Sequence, residues 1–163
     1  MRLWLVILIP LLLYCSTPAH ADGVFFENGL GFYKSTDSQA IFLSYQIDSP
    51  PLSSLKSYYD VSLGSWNGPN RNNAIVLAKG IWMNLPGKTY ISLEPGGAYL
   101  KRTTDNLGTR LQFAFRSALG MRIEKFDFSV GYKHFSNGKG IFHWTNKSNF
   151  SENFITFQIG YLL

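Results

Sequence analysis

His134 and Ser136 are the residues of this chain best placed to do chemistry together. An imidazole beside a hydroxyl is a general base beside a nucleophile, the contact that serine acyl transfer requires. Whether the two meet depends on the backbone between them. In an extended strand, residues i and i+2 share a face with Cα atoms ~7 Å apart, a gap that an imidazole spans. The flanking residues describe such a strand. Phe126, Phe128, Val130, Tyr132, His134 and Ser136 hold one parity, and Asp127, Ser129, Gly131 and Lys133 hold the other. A strand whose apolar set meets lipid turns the imidazole and hydroxyl toward lipid as well, at its far end. A plainer account stands beside this one. Polar groups on a barrel exterior cost least near the membrane interface, so the pair could simply mark where an apolar belt ends.

Around that strand, the composition narrows the protein class. Charged residues make up 15% of the chain and aromatics 16%, whereas soluble domains carry about 25% charged residues. Residues 1–21 read as a cleavable secretory signal: Arg2 is the basic start, Leu3 to Tyr14 is apolar apart from Pro10, and Ala19-His20-Ala21 precedes the expected cut before Asp22. The only cysteine, Cys15, and one of three histidines, His20, leave with it, so no disulfide or thiolate chemistry is expected in the mature chain. The formal charge of +5 falls by one with Arg2, a mild basicity suited to anionic lipid headgroups. After residue 21 no apolar stretch is long enough for a spanning helix, which needs about 20 residues. An exported, aromatic-rich, charge-poor chain without such a helix fits a membrane β-barrel.

The alternation supports that class. Ile155, Phe157, Ile159, Tyr161 and Leu163 alternate with Thr156, Gln158, Gly160 and Leu162, and only Leu162 spoils the small or polar face. Leu111, Phe113, Phe115, Leu119 and Met121 likewise alternate with Arg110, Gln112, Arg116 and Arg122. Strands are expected at 24–34, 39–47, 58–66, 74–83, 89–100, 109–122, 126–135 and 153–163, an even number that closes an all-β, eight-stranded antiparallel transmembrane barrel without edges. The domain is 22–163. Tight turns at 84–88 and 122–125 oppose longer polar links at 68–73, 101–108 and 137–151, the asymmetry of short periplasmic turns and longer outer loops. The 49–57 link, with Pro50-Pro51, reads as a long exception on the short-turn side. Periodicity leaves one choice open: a soluble barrel with its apolar face inward shows the same alternation as a membrane barrel with that face outward.

The segment Tyr132-Lys133-His134-Phe135-Ser136-Asn137 resembles the catalytic strand of the lipid A 3-O-deacylase (PagL-type) family, in which His-x-Ser-Asn enters the last outer loop. Ser62 to Asn67, Ile91 to Ala98, Asn106 to Phe113 and the approach Ser151-Glu152-Asn153 to the final strand are similar in order, so the resemblance spans most of the mature chain. It implies an outer-membrane barrel that hydrolyses the acyl chain esterified at the 3-position of lipid A by a Ser-His-Glu triad. On that pattern Ser136 matches the nucleophile, His134 the base, Glu152 the acid, and Asn137 the residue whose donors meet the oxyanion. Glu152 is the only acidic residue after His134, and it opens the strand beside that of the base. By parity, however, it belongs with Thr156 and Gln158 rather than with His134, so the match requires a bulge near 150–153.

Other residues are weighed against this set. His143, in the last loop with Trp144, is the competing imidazole and could instead touch headgroup sugar or phosphate. Lys101, Arg102, Lys139 and Lys147 could pair with lipid A phosphates, or stand as solvated loop cations. Phe135, Phe142, Trp144 and Phe150 could form an interfacial belt or edge an acyl groove. Glu94, Arg116 and Asp60 carry inward parity and read as a structural network. Two histidines nine apart without cysteine make no zinc site, so neither metal nor cofactor is expected, and no basic nucleic-acid patch stands out. Lipopolysaccharide is the expected partner, with association of further copies left open. The rival functions are a non-enzymatic structural barrel, an acyltransferase and a soluble periplasmic lipid-binding barrel.

Overall fold

The computed structural model describes residues 22–35, 37–139, 147 and 150–163. The expected signal and the loop residues Phe142, His143 and Trp144 lie outside them. Eight strands run β1 (Gly23–Gly31), β2 (Gln39–Leu52), β3 (Leu55–Trp66), β4 (Asn72–Asn84), β5 (Thr89–Leu100), β6 (Leu111–Ile123), β7 (Phe126–Ser136) and β8 (Glu152–Leu162). Each pairs antiparallel with its sequence neighbours, and β8 closes on β1 to complete a barrel. Closure satisfies every strand edge, the condition for crossing hydrocarbon.

The choice that periodicity left open is resolved by where the charges lie. Leu43, Leu63, Leu77, Leu119, Val130 and Phe157 are exposed on the outside, each about half or more of its surface. Glu27, Asp60, Glu94, Arg116, Asp127 and Lys133 are buried inside. An apolar exterior around a charged interior is the inverse of a soluble barrel and suits a lipid solvent.

The interior is filled rather than open. Glu27 pairs with Arg116 at 2.6 Å and also with Lys133. Arg116 donates onward to Ser129 Oγ at 2.8 Å and Gln158 Oε1 at 3.2 Å. Glu94 and Arg116 are register partners, yet the carboxylate of Glu94 accepts from the Tyr58 hydroxyl at 3.0 Å. Aromatic groups close both ends of this polar middle. Phe42, Trp66, Phe135 and Phe154 cluster toward the long-loop end, and Tyr58, Trp82 and Tyr90 toward the other. The inward rings need space on the adjoining wall. Tyr90 lies over its register partner Gly120, where an added Cβ would come within 2.2 Å of the ring.

The connections confirm the expected asymmetry. Short turns at 53–54, 85–88 and 124–125 occupy one end, and links 32–38, 67–71, 101–110 and 137–151 occupy the other. The expected long link at 49–57 is instead a continuation of the β2–β3 hairpin. The ladder shifts between Ser49 and Leu52 and then resumes at Leu52–Leu55. A bulge is where a sheet tolerates prolines that donate nothing to the ladder, and Ser53 closes the turn with φ +59°. β1 ends before 34 because Tyr33, with φ +59°, turns the chain into a single 3-10 turn at Tyr33–Ser35.

Candidate active site on the outer wall of strand seven

β7 pairs without slippage on both sides, which fixes the face of each of its residues. On the β6 side Phe115 pairs with His134 and Phe113 with Ser136. On the β8 side Asn153 pairs with His134 and Glu152 with Phe135. Phe135 is fully buried in the interior. Its neighbours His134 and Ser136 therefore lie on the outer wall, half-exposed and beside the exposed rings of Phe113 and Phe115. Both stand at the long-loop end, the end that faces outward in such barrels.

The imidazole is held through one nitrogen. His134 Nδ1 lies 2.9 Å from Asn153 Oδ1 and 3.2 Å from the Tyr132 hydroxyl, which itself donates to Asn153 Oδ1 at 2.7 Å. The Ser136–His134 hydrogen bond is not among those made by the described residues. Catalytic hydrogen bonds often tighten only once substrate is bound, so the shared face and the i, i+2 spacing are the informative features.

The structure does not bring Glu152 to His134. No bulge interrupts the β7–β8 register, so alternation persists through residue 153 and turns Glu152 to the inner face. There its fully buried carboxylate accepts from Asn106 Nδ2 at 2.9 Å. That contact ties β8 to the 101–110 link, which also accepts the Phe150 N–H at the Asn106 carbonyl, 2.9 Å away. The residue that reaches His134 is the next one, Asn153. A signal for it was present in the sequence: Asn153 has the parity of Ile155, Phe157 and Ile159, the outward set.

Asn137 is buried directly after Ser136, and its Oδ1 accepts from the Lys139 N–H at 3.1 Å in a turn that Gly138 completes with φ +69°. Its backbone N–H follows the serine directly along the chain. Lys101, Arg102 and Lys147 are exposed and Lys139 half-buried at the same end. Arg102 spends one donor on the Arg71 carbonyl at 2.8 Å. Phe150 is half exposed beside β8.

The profile of the lipid A 3-O-deacylase (PagL) family matches residues 39–162, from the start of β2 to the end of β8. Among solved structures the chain is similar to one described as the crystal structure of the outer membrane enzyme PagL, with 18% sequence identity, a TM-score of 0.69, and coverage of 86% of this chain and 99% of that one. At that identity the likeness speaks for the fold. No curated protein matches the sequence.

Proposed function

The chain belongs to the lipid A 3-O-deacylase (PagL) family of outer-membrane ester hydrolases, and from that premise we propose that it removes the 3-O-linked acyl chain of lipid A by serine catalysis at Ser136 and His134. The observation that carries the mechanism is the outward placement of this pair at the long-loop end of β7, beside exposed phenylalanines. A glycolipid in the outer leaflet keeps its ester near the headgroup level, where such a pair stands. The substrate then reacts without leaving its leaflet, so the cost of extracting an acyl chain into water never arises.

In the proposed sequence, Ser136 Oγ gives its proton to His134 Nε2 and attacks the ester carbonyl carbon. The oxyanion is held by Asn137, through its backbone N–H or its carboxamide. Collapse breaks the bond to the sugar oxygen, which leaves with the proton from His134. Water then gives a proton to His134 and attacks the acyl-serine, and Ser136 departs with that proton as the fatty acid is released. Lys101, Arg102, Lys139 and Lys147 are the cations placed to meet the phosphates of the substrate. Export through a signal cleaved before Asp22 belongs to the same proposal.

The test is fatty acid release from purified lipopolysaccharide by the refolded protein. Ser136→Ala should fold and lose at least about 10³-fold in rate. Release at the normal rate by that variant would overturn the serine mechanism. Acyl chains recovered on a second lipid, instead of as free acid, would assign the site to transfer.

A further inference from the structure

On the reading that His134 is the base, we infer that the group orienting it is the amide of Asn153, with Tyr132 in support, so that the imidazole works against a neutral acceptor instead of a carboxylate.

The hydrogen-bond directions leave one arrangement. Ser151 Oγ donates to the Phe150 carbonyl at 2.6 Å, so its hydrogen is committed and it can only accept from Asn153. The donor is Asn153 Nδ2, 3.1 Å away. This fixes the amide: with Nδ2 on Ser151, Oδ1 must face β7. Oδ1 there accepts the Tyr132 hydroxyl at 2.7 Å, and an amide oxygen has a second lone pair to offer. His134 Nδ1, at 2.9 Å, must then be the protonated nitrogen, because Oδ1 cannot donate. The tautomer that follows leaves the lone pair on Nε2, the form a general base needs.

The amide is well supported. Asn153 is 5% exposed. Its backbone N–H donates to Ser35 Oγ at 2.9 Å, and its carbonyl accepts the Phe32 N–H at 3.1 Å. Phe32 also packs edge-on against the Tyr132 ring with centroids 5.7 Å apart. The 32–38 link thus clamps both partners of the imidazole. Among the described residues, the groups facing His134 on its own side are Tyr132 on β7, Asn153 on β8 and Phe115 on β6. The adjacent charged residues lie on the other face: Lys133 pairs with Glu27, and Glu152 accepts from Asn106.

A positioning role for Asn153 separates from a structural one in the pH–rate profile. The full-length folded protein would be assayed on lipopolysaccharide, with folding of each variant checked by its mobility on unheated SDS gels. Asn153→Ala should lose about 10²-fold in kcat with KM little changed. Asn153→Asp keeps an acceptor and adds a charge that favours imidazolium. It should retain turnover and move the acid limb of the profile to higher pH by about one unit or more. Glu152→Gln should leave that limb where it is. Wild-type kcat in folded Asn153→Ala, an unmoved limb in Asn153→Asp, or a displaced limb in Glu152→Gln would each overturn the inference. Should Asn153→Ala fail to fold, the Asp variant decides. Full activity in Ser136→Ala would instead strike at the serine mechanism itself, so the two failures are distinguishable.

Discussion

The ring of Phe135 stacks on the indole of Trp66 inside the barrel, with centroids 5.4 Å apart and planes 24° from parallel. Phe42 also stacks on this phenylalanine at 6.0 Å, and Phe154 meets it edge-on at 6.4 Å. Phe135 stands between His134 and Ser136, so this inward anchor holds the outward pair in place. Strand alternation does the rest, because a residue locked inward forces both neighbours outward. Phe135→Ala should therefore cost about 3–5 kcal/mol of stability, read as a lower urea midpoint for the folded barrel. Activity should fall more than stability requires, since the outer end of β7 loses its fixed position. Phe135→Leu should lose less of both.

Glu27 serves two cations at once, Arg116 and Lys133, in a fully buried setting. Neutralising it leaves both without their shared carboxylate, and a buried charge stripped of its partner costs about 3–5 kcal/mol. Glu27→Gln should lower the urea midpoint accordingly while leaving kcat near normal in the molecules that fold. A midpoint equal to wild type would mean that water or other groups already satisfy the two cations.

The exterior apolar belt predicts a dependence on depth. Leu119 is more than half exposed in the middle of β6, whereas Phe113 lies near its long-loop end. Leu119→Arg should cost about 2–4 kcal/mol in a bilayer and Phe113→Arg about 0–1, measured by urea titration in lipid vesicles. Equal costs at the two positions would contradict the placement of the belt.

Tyr132 holds the acceptor of the imidazole and is a lesser contributor than Asn153. Tyr132→Phe removes one hydroxyl and leaves the Nδ1–Oδ1 contact intact. The expected loss is about 0.5–1.5 kcal/mol of transition-state stabilisation, a drop in kcat of several-fold with the barrel unchanged. A loss as large as that of Asn153→Ala would reverse the ranking of the two.

Much of the barrel was legible in the alternation, because a period of two needs no tertiary information. The number and order of the strands and the shared face of His134 and Ser136 follow from it, whereas the end of β1 and the β2–β3 hairpin depart from the expected bounds. Which face meets water did not follow, because the inversion leaves the pattern unchanged; the buried pairing of Glu27 with Arg116 across the barrel decides it, and these residues are far apart in sequence. The 49–57 stretch with Pro50-Pro51 reads as a long link, since a bulge that tolerates proline has no separate sequence mark. Glu152 is expected at His134 only at the cost of a bulge near 150–153. The structure keeps the simple alternation and gives that place to Asn153, a choice visible once the β7–β8 register is known.

The mass spectrum of lipid A from cells carrying this chain tests the central proposal most directly. Cells making the wild-type barrel should yield lipid A lighter by one 3-O-linked acyl chain, and cells making folded Ser136→Ala should yield it intact. An intact spectrum from folded wild-type protein, or equal loss of the chain with Ser136→Ala, would contradict hydrolysis by the outward pair on β7.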